Sequence, residues 1–258
     1  MGKIICISSQ KGGVGKTTTA VNLSTALALA EQNILLLDLD FQGHATGVLA
    51  SPGIREGFSI YDVLTGEKSI DETIRDTGIE YFKLISSDTR LVNIDFGLRP
   101  VNGKNSVLKK QLKKIKDEFD FIIIDSPPSF NQLGITAINA ADIILIPLQC
   151  EYFALESLAQ FFKIFHGLKK KHNYETEIGG ILLNMYDSHE AISAQIACDV
   201  KKSFNGLVCK TVIPRCRSIR ESASHGKPVI LTDISAEGAK SFISLAREII
   251  KTMHSSQE

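Results

Sequence analysis

Residues 10 to 19 read Gln-Lys-Gly-Gly-Val-Gly-Lys-Thr-Thr-Thr, between the apolar run Lys3-Ile-Ile-Cys-Ile-Ser-Ser9 and a segment, Thr17 to Ala30, that places Ala20, Leu23, Leu27 and Ala30 at helical spacing. A β-branched run of this kind suits a buried parallel strand. Strand, glycine-rich turn and helix in that order predict a phosphate-binding loop. Its glycines let backbone N–H groups curl round phosphates, its lysine reaches the β and γ groups, and the next hydroxyl takes Mg²⁺. Gly12, Gly13, Val14 and Gly15 supply the backbone, and Lys16 and Thr17 fit the two side-chain roles. The helix N-terminus then points at the anion. The usual pattern, G-x-x-x-x-G-K-[ST], is incomplete, because its first glycine falls at Gln10 and a second lysine, Lys11, stands just ahead of Gly12. A glycine-rich turn that binds nothing is the plainer alternative.

At 258 residues the chain is long enough for a large α/β domain that buries most of its unfolded surface. We expect one domain over residues 1–254 and a loose tail over 255–258. No secretory signal is expected, the apolar runs are shorter than a spanning helix needs, and a cytoplasmic protein is anticipated. Five cysteines, Cys6, Cys150, Cys198, Cys209 and Cys216, show no C-x-x-C spacing. Neither a disulfide framework nor a zinc site is indicated. Charge is balanced, 29 basic against 29 acidic residues, which argues against a surface that binds nucleic acid throughout. Locally, Val200 to Arg220 carries Lys201, Lys202, Lys210, Arg215, Arg217 and Arg220 without an acid. Lys104 to Lys116 is lysine-rich too, but Leu108, Leu112 and Ile115 mark it as an amphipathic helix with a solvated outer face.

Further apolar strands are predicted at Ile34–Leu39, Tyr81–Ile85, Phe119–Asp125, Asp142–Leu148, Ile178–Asn184 and Val208–Ile213. Their alternation with helical segments predicts a mostly parallel, doubly wound α/β sheet flanked by helices. Ligands then meet the carboxyl ends of the strands.

The loop K-G-G-x-G-K-T-[ST] resembles the deviant Walker A motif of the ParA/MinD ATPases. Leu37-Asp-Leu-Asp-Phe-Gln-Gly-His-Ala-Thr46 is similar to that family's D-x-D-P-Q-G-N-A-T, and Phe119-Asp-Phe-Ile-Ile-Ile-Asp-Ser-Pro-Pro-Ser129 to its D-x-I-I-I-D-x-P-P-S. Pro147 to Glu156 resembles P-x-Q-x-E-Y-x-A-L-E, and Ser224-His-Gly-Lys-Pro228 matches S-H-G-K-P. The likeness covers nearly the whole chain and is greatest to the short chromosomal, Soj-like type. It implies ATP and Mg²⁺ as cofactors, and a homodimer in which Lys11 crosses to the partner's nucleotide. Asp40 is the candidate for orienting the attacking water, since phosphoryl transfer is mostly alignment and charge neutralisation. Asp125 is the candidate Mg²⁺ group, through water. Asp38 either organises the metal's outer shell or caps the following turn. Thr18 is assigned to the α-phosphate, and Asn184, Pro214 and Arg215 to the base, although an asparagine at a strand end is as often a turn former. Phe41 and His44 replace the family's proline and asparagine, which bears on loop rigidity more than on chemistry.

The implied function is an ATP-driven partition ATPase, weak alone and stimulated by a ParB-like partner, which binds duplex DNA non-specifically in the ATP state. Lys201, Lys202, Arg217 and Arg220 are the candidate DNA contacts, or else ordinary solvated charges. His189 and Ser218 stand where DNA-binding relatives often present arginines. Rival readings are a MinD-like membrane-associated regulator, an iron–sulfur carrier and a ParA-like ATPase for a non-DNA cargo. Against the membrane reading, Ile249, Ile250 and Met253 near the C-terminus suffice only for packing.

Overall fold

The β-branched runs become the inner strands of a seven-stranded sheet in the order β3-β4-β2-β5-β1-β6-β7. The structure is a computed structural model and describes residues 2–49, 57–95 and 107–255. In chain order the elements are β1 (Lys3–Ile7), α1 (Lys16–Ala28), β2 (Ile34–Asp38), α2 (His44–Leu49), α3 (Ile60–Thr65), β3 (Ile74–Asp76), β4 (Phe82–Ile85), α4 (Leu91–Asp95) and α5 (Val107–Ile115). There follow β5 (Phe121–Asp125), α6 (Gln132–Ala140), β6 (Ile143–Gln149), α7 (Ala154–His172), β7 (Glu177–Asn184), α8 (Ala191–Ser203), α9 (Arg217–Ser224), α10 (Val229–Thr232) and α11 (Glu237–Ser255). Lys104 of the lysine-rich helix lies outside the described residues, as does the expected tail apart from Ser255, which ends α11.

All pairings are parallel except β3 with β4. Strands such as Ile34–Asp38 and Phe121–Asp125 are buried along their whole length, as expected where helices cover both faces. Alternate residues feed two apolar layers. One holds Ile4, Leu35, Ile122, Ile144 and Ile181 under α3 to α8. The other holds Ile5, Leu36, Ile123, Leu145 and Leu182 under α1, α2, α10 and α11.

The strand predicted at Val208–Ile213 does not form. The segment runs beside β7 and makes isolated bridges at Ile181↔Val208 and Tyr186↔Pro214. Its middle N–H groups, Lys210 and Thr211, donate instead to the Glu248 carboxylate at 2.6 and 2.8 Å. A side chain of α11 has taken the donors that a ladder would need. Conversely, β3 has only three residues, Ile-Arg-Asp, and offers no alternation to read.

The fold positions the site by register. Ile7 pairs with Asp125, and Asp125 with Asp38. Three strand ends therefore deliver the loop after β1 and two carboxylates side by side, about 5 Å apart from strand to strand.

Candidate nucleotide site

The loop after β1 is shaped by two left-handed glycines, Gly13 at φ 75° and Gly15 at φ 87°. At Gly15 even a methyl group is excluded, because a Cβ there would lie 2.3 Å from Asn184 Nδ2. That amide supports the loop from below. Asn184 Nδ2 donates to the Val14 carbonyl at 2.7 Å, and its Oδ1 accepts from the Met185 N–H at 2.9 Å. Asn184 thus uses one of its two amide donors and one lone pair on backbone, and the other donor and lone pair remain on a side chain that itself lines the neighbouring cavity. Pro214, Arg215, Thr18 and Arg220 line a cavity of about 580 Å³ beside it, within the range of small-ligand sites.

Lys16 is buried at the start of α1. Burial lowers its pKa, and the Asp125 and Asp40 carboxylates pull it back up. Asp125 is buried, and neither carboxylate oxygen has a hydrogen-bond partner. Burial, then the charge of Asp38, hold its pKa well above the usual range, against the nearby Thr17 hydroxyl and Lys16. An orphaned carboxylate facing a lysine and a threonine hydroxyl fits a hydrated Mg²⁺. Replacing it tests that fit. Asp125→Asn removes repulsion with Asp38 and Asp40 and is expected to stabilise the protein without nucleotide by about 1 kcal/mol, or about 2–4 °C in Tm. A group whose pKa is raised on folding contributes stability while protonated and loses it as pH rises through the folded value. The gain should therefore grow as pH rises above the ordinary carboxylate range in thermal melts with EDTA, while Mg²⁺-dependent nucleotide binding is lost.

Asp38 is fully occupied. Its Oδ2 accepts from the Thr46 N–H and hydroxyl at 2.7 and 2.8 Å, and its Oδ1 from the Asp40 N–H at 3.2 Å. Burial raises its pKa to about 6 against those hydrogen bonds. Of the two roles anticipated, capping the following turn is the one its hydrogen bonds display. Asp40 is buried, with Oδ1 accepting from the Gln42 N–H at 3.0 Å. Among the described residues Oδ2 has no hydrogen-bond partner. The loop from Leu39 to Thr46 is thus braced by its own carboxylates, and Phe41 packs on the core where the family pattern has proline.

Lys11, half exposed, pairs with Glu151 at 3.1 Å, and Arg215 approaches the same carboxylate at 3.7 Å. Glu151 gains significance only in three dimensions, as does Asn22. The latter donates to the Thr18 carbonyl and accepts from the Val229 N–H, both at 2.8 Å, so that Lys227 and Pro228 are tied to α1.

The basic residues between Val200 and Arg220 are divided between two faces of the sheet. Val200 anchors α8 in the layer under α7, whereas Ile219 packs α9 on the opposite layer. Lys201 and Lys202 are therefore carried on one side of the sheet and Arg217 and Arg220 on the other. Arg217 is also paired with Glu221, the first residue beyond the acid-free run. His189 is exposed in the turn after β7, and the Ser218 hydroxyl lies 3.3 Å from Cys216 Sγ.

Strand, glycine-rich loop, helix start and the Asp125 carboxylate thus meet at one edge of the sheet. The chain matches the AAA domain family over residues 2–178. It is 41% identical over 249 residues to the sporulation initiation inhibitor protein Soj of Bacillus subtilis (strain 168), covering 96% of this chain and 98% of that protein. It is 40% identical over 251 residues to the chromosome partitioning protein ParA of Myxococcus xanthus (strain DK1622), covering 97% and 89%. Cobyrinic acid a,c-diamide synthase from Mycobacterium smegmatis, solved with bound ADP and magnesium, superposes with a TM-score of 0.85 at 28% identity over 99% of this chain and 97% of that one. The chain belongs to the AAA domain family and, within it, to the Soj/ParA chromosome-partitioning proteins.

Proposed function

We propose that this protein is an ATP- and Mg²⁺-dependent partition ATPase that closes into a homodimer with ATP, binds duplex DNA without sequence preference, and is stimulated by a ParB-like partner. The observation that carries the reading is the pair of lysines on one loop: Lys16 is buried against Asp125 and Asp40, while Lys11 stands half exposed at the rim. One serves the phosphates from within. The other is held at the rim only by an exposed ion pair with Glu151.

In this reading Gly12 to Thr18 hold the phosphates, Lys16 neutralises the β and γ groups, and Asp40 orients the attacking water. Thr17 and Asp125 would hold Mg²⁺, which supplies charge neutralisation at the β and γ oxygens. Asp38 fixes the loop that carries Asp40. Arg215 and Pro214 flank the base. The protein acts in the cytoplasm, associated with the nucleoid.

The membrane-associated reading finds no support in α11. Its apolar residues Phe242, Leu245, Ala246 and Ile249 are buried in the core layer shared with α1, and Ile250 and Met253 pack against that layer. No helix among the described residues is long and apolar enough to cross a membrane.

The test is duplex binding with ATP, ADP and no nucleotide across a range of salt. Only the ATP state should bind, with equal affinity for unrelated sequences, and each phosphate contact should contribute about 0.9 to the log–log salt slope. Two copies in a dimer add individually weak contacts into avidity. Arg217→Ala is expected to weaken binding to every sequence alike and to flatten the slope by about 1–2 in a dimer, with DNA-free turnover unchanged. Adding Arg220→Ala should weaken it further, with ATP affinity measured in parallel because Arg220 lines the cavity. Parental binding by the double variant at every salt concentration would refute a DNA role for α9.

A further inference from the structure

The loop that carries Asp40 is also braced from the neighbouring strand. Ser87, two residues past the end of β4, donates its N–H to Thr46 Oγ1 at 2.9 Å and its hydroxyl to the backbone carbonyl of Asp40. Thr46 passes the connection on to Asp38 through its own hydroxyl at 2.8 Å. The Asp40 carbonyl accepts a second bond from the Gly43 N–H at 2.9 Å. Ser87 therefore fixes the peptide plane on the C-terminal side of Asp40, while Asp38 fixes the N–H on the other side at 3.2 Å. With both neighbouring planes held, the Cα–Cβ direction of Asp40 is set, and the Gln42 N–H on Oδ1 at 3.0 Å orients the carboxylate at its end.

The support is itself rigid. Asp88, next to Ser87, accepts from the Arg90 N–H at 2.7 Å and from Arg90 Nε at 2.9 Å. The same guanidinium reaches Asp62 at 3.2 Å and lies over the Tyr61 ring, 4.3 Å from its centroid. Asp62 and Ser59 form the capping box of α3. The brace on Asp40 thus runs through a charged cluster to a helix start, with no member in the phosphate loop.

We infer that Ser87 is a positioning residue for hydrolysis, acting through the Asp40 backbone to hold the carboxylate at the angle that aligns water. This rests on the water-orienting reading of Asp40. A misplacement of about 1 Å in an aligned group is enough to cost up to about 10²-fold in rate. Loss of the single bond from the Ser87 hydroxyl, with the three bonds among Asp38, Asp40 and Thr46 intact, should cost less. A brace that only stabilised the fold would instead lower the melting temperature and ATP affinity along with turnover.

The experiment uses the full chain with Ser87→Ala and Ser87→Thr, reading ATP affinity, ATP-dependent dimer formation and single-turnover hydrolysis. Ser87→Ala should keep affinity and dimerisation within about twofold while kcat falls about tenfold, a split that a general loss of structure cannot produce. Ser87→Thr, which keeps the hydroxyl, should restore most of the rate. In an Asp40→Ala background, Ser87→Ala should change the residual rate by less than about twofold, because the two act as one unit. An undiminished kcat in Ser87→Ala, or the same tenfold loss persisting without the Asp40 carboxylate, overturns the inference. A parent protein that hydrolyses no ATP under any condition overturns the ATPase reading itself and this inference with it. Parental turnover in Asp40→Ala removes the water-orienting role and leaves Ser87 nothing to position.

Discussion

Asp40→Ala is expected to bind ATP and form the dimer, yet to lose turnover by a factor on the order of 10² or more. In the proposed site the phosphates are held by the loop after β1 and by Lys16, and Lys16 keeps the larger of its two carboxylate neighbours, Asp125, when Asp40 is removed. The backbone after β2 should also survive, since Asp38 keeps its bonds to Thr46 and Ser87 still reaches the carbonyl of residue 40. What disappears is the Asp40 carboxylate, including Oδ2, which accepts no hydrogen bond from the described residues. Lys16→Ala is the informative contrast. It removes the buried cation that offsets Asp125 and Asp40, and nucleotide binding itself should fail. A fluorescent ATP analogue and phosphate release separate the two variants. Unchanged turnover in Asp40→Ala would show that the water is held elsewhere.

Legibility followed the locality of the signal. The phosphate loop was readable because strand, glycines, lysine and helix are contiguous, and α1 begins at Lys16 as the motif requires. Buried parallel strands were readable as apolar runs, to within a residue or two at their ends. Where the sequence misled, a distant group had intervened. Val208 to Ile213 has the composition of a strand, but Glu248, nearly forty residues on, takes its middle donors. The run of cations from Lys201 to Arg220 looked like one patch because sequence distance hides a sheet between its ends.

Polar braces were the least legible part. Ser87 is an ordinary serine by any local rule, and only the pairing of β2 with β4 brings it under the Asp40 carbonyl. Asp38 shows the same limit from the other side. Its spacing in the D-x-D pattern admitted a metal role and a capping role, and only the folded loop engages both of its oxygens. The departures at Phe41 and His44 matter less than their residue types suggest, because the loop is held by hydrogen bonds that neither side chain makes.

Lys11→Ala is expected to keep ATP affinity within about tenfold, or about 1.4 kcal/mol, while ATP-dependent dimer formation and hydrolysis are lost. A loop supplied with Lys16 has its internal cation already, so the second lysine is not needed to bind nucleotide in one protomer. It does have an intramolecular partner: Glu151 lies 3.1 Å away, and both side chains are close to half exposed. The energetics decide whether that pair could hold Lys11 back. Ion pairs this exposed contribute about 0–1 kcal/mol, whereas a charge-assisted bond to a phosphate in a closed, desolvated interface contributes about 1.5–3 kcal/mol. In the proposed dimer the partner's nucleotide should therefore outcompete Glu151, with the ion pair keeping Lys11 at the rim until closure. Glu151 also lies within 3.7 Å of Arg215 at the cavity mouth, so release of Lys11 leaves the carboxylate paired rather than stranded. Sedimentation with a non-hydrolysed ATP analogue reads the outcome directly. A Lys11→Ala protein that dimerises like its parent removes the crossing lysine, and with it the reason this loop carries two.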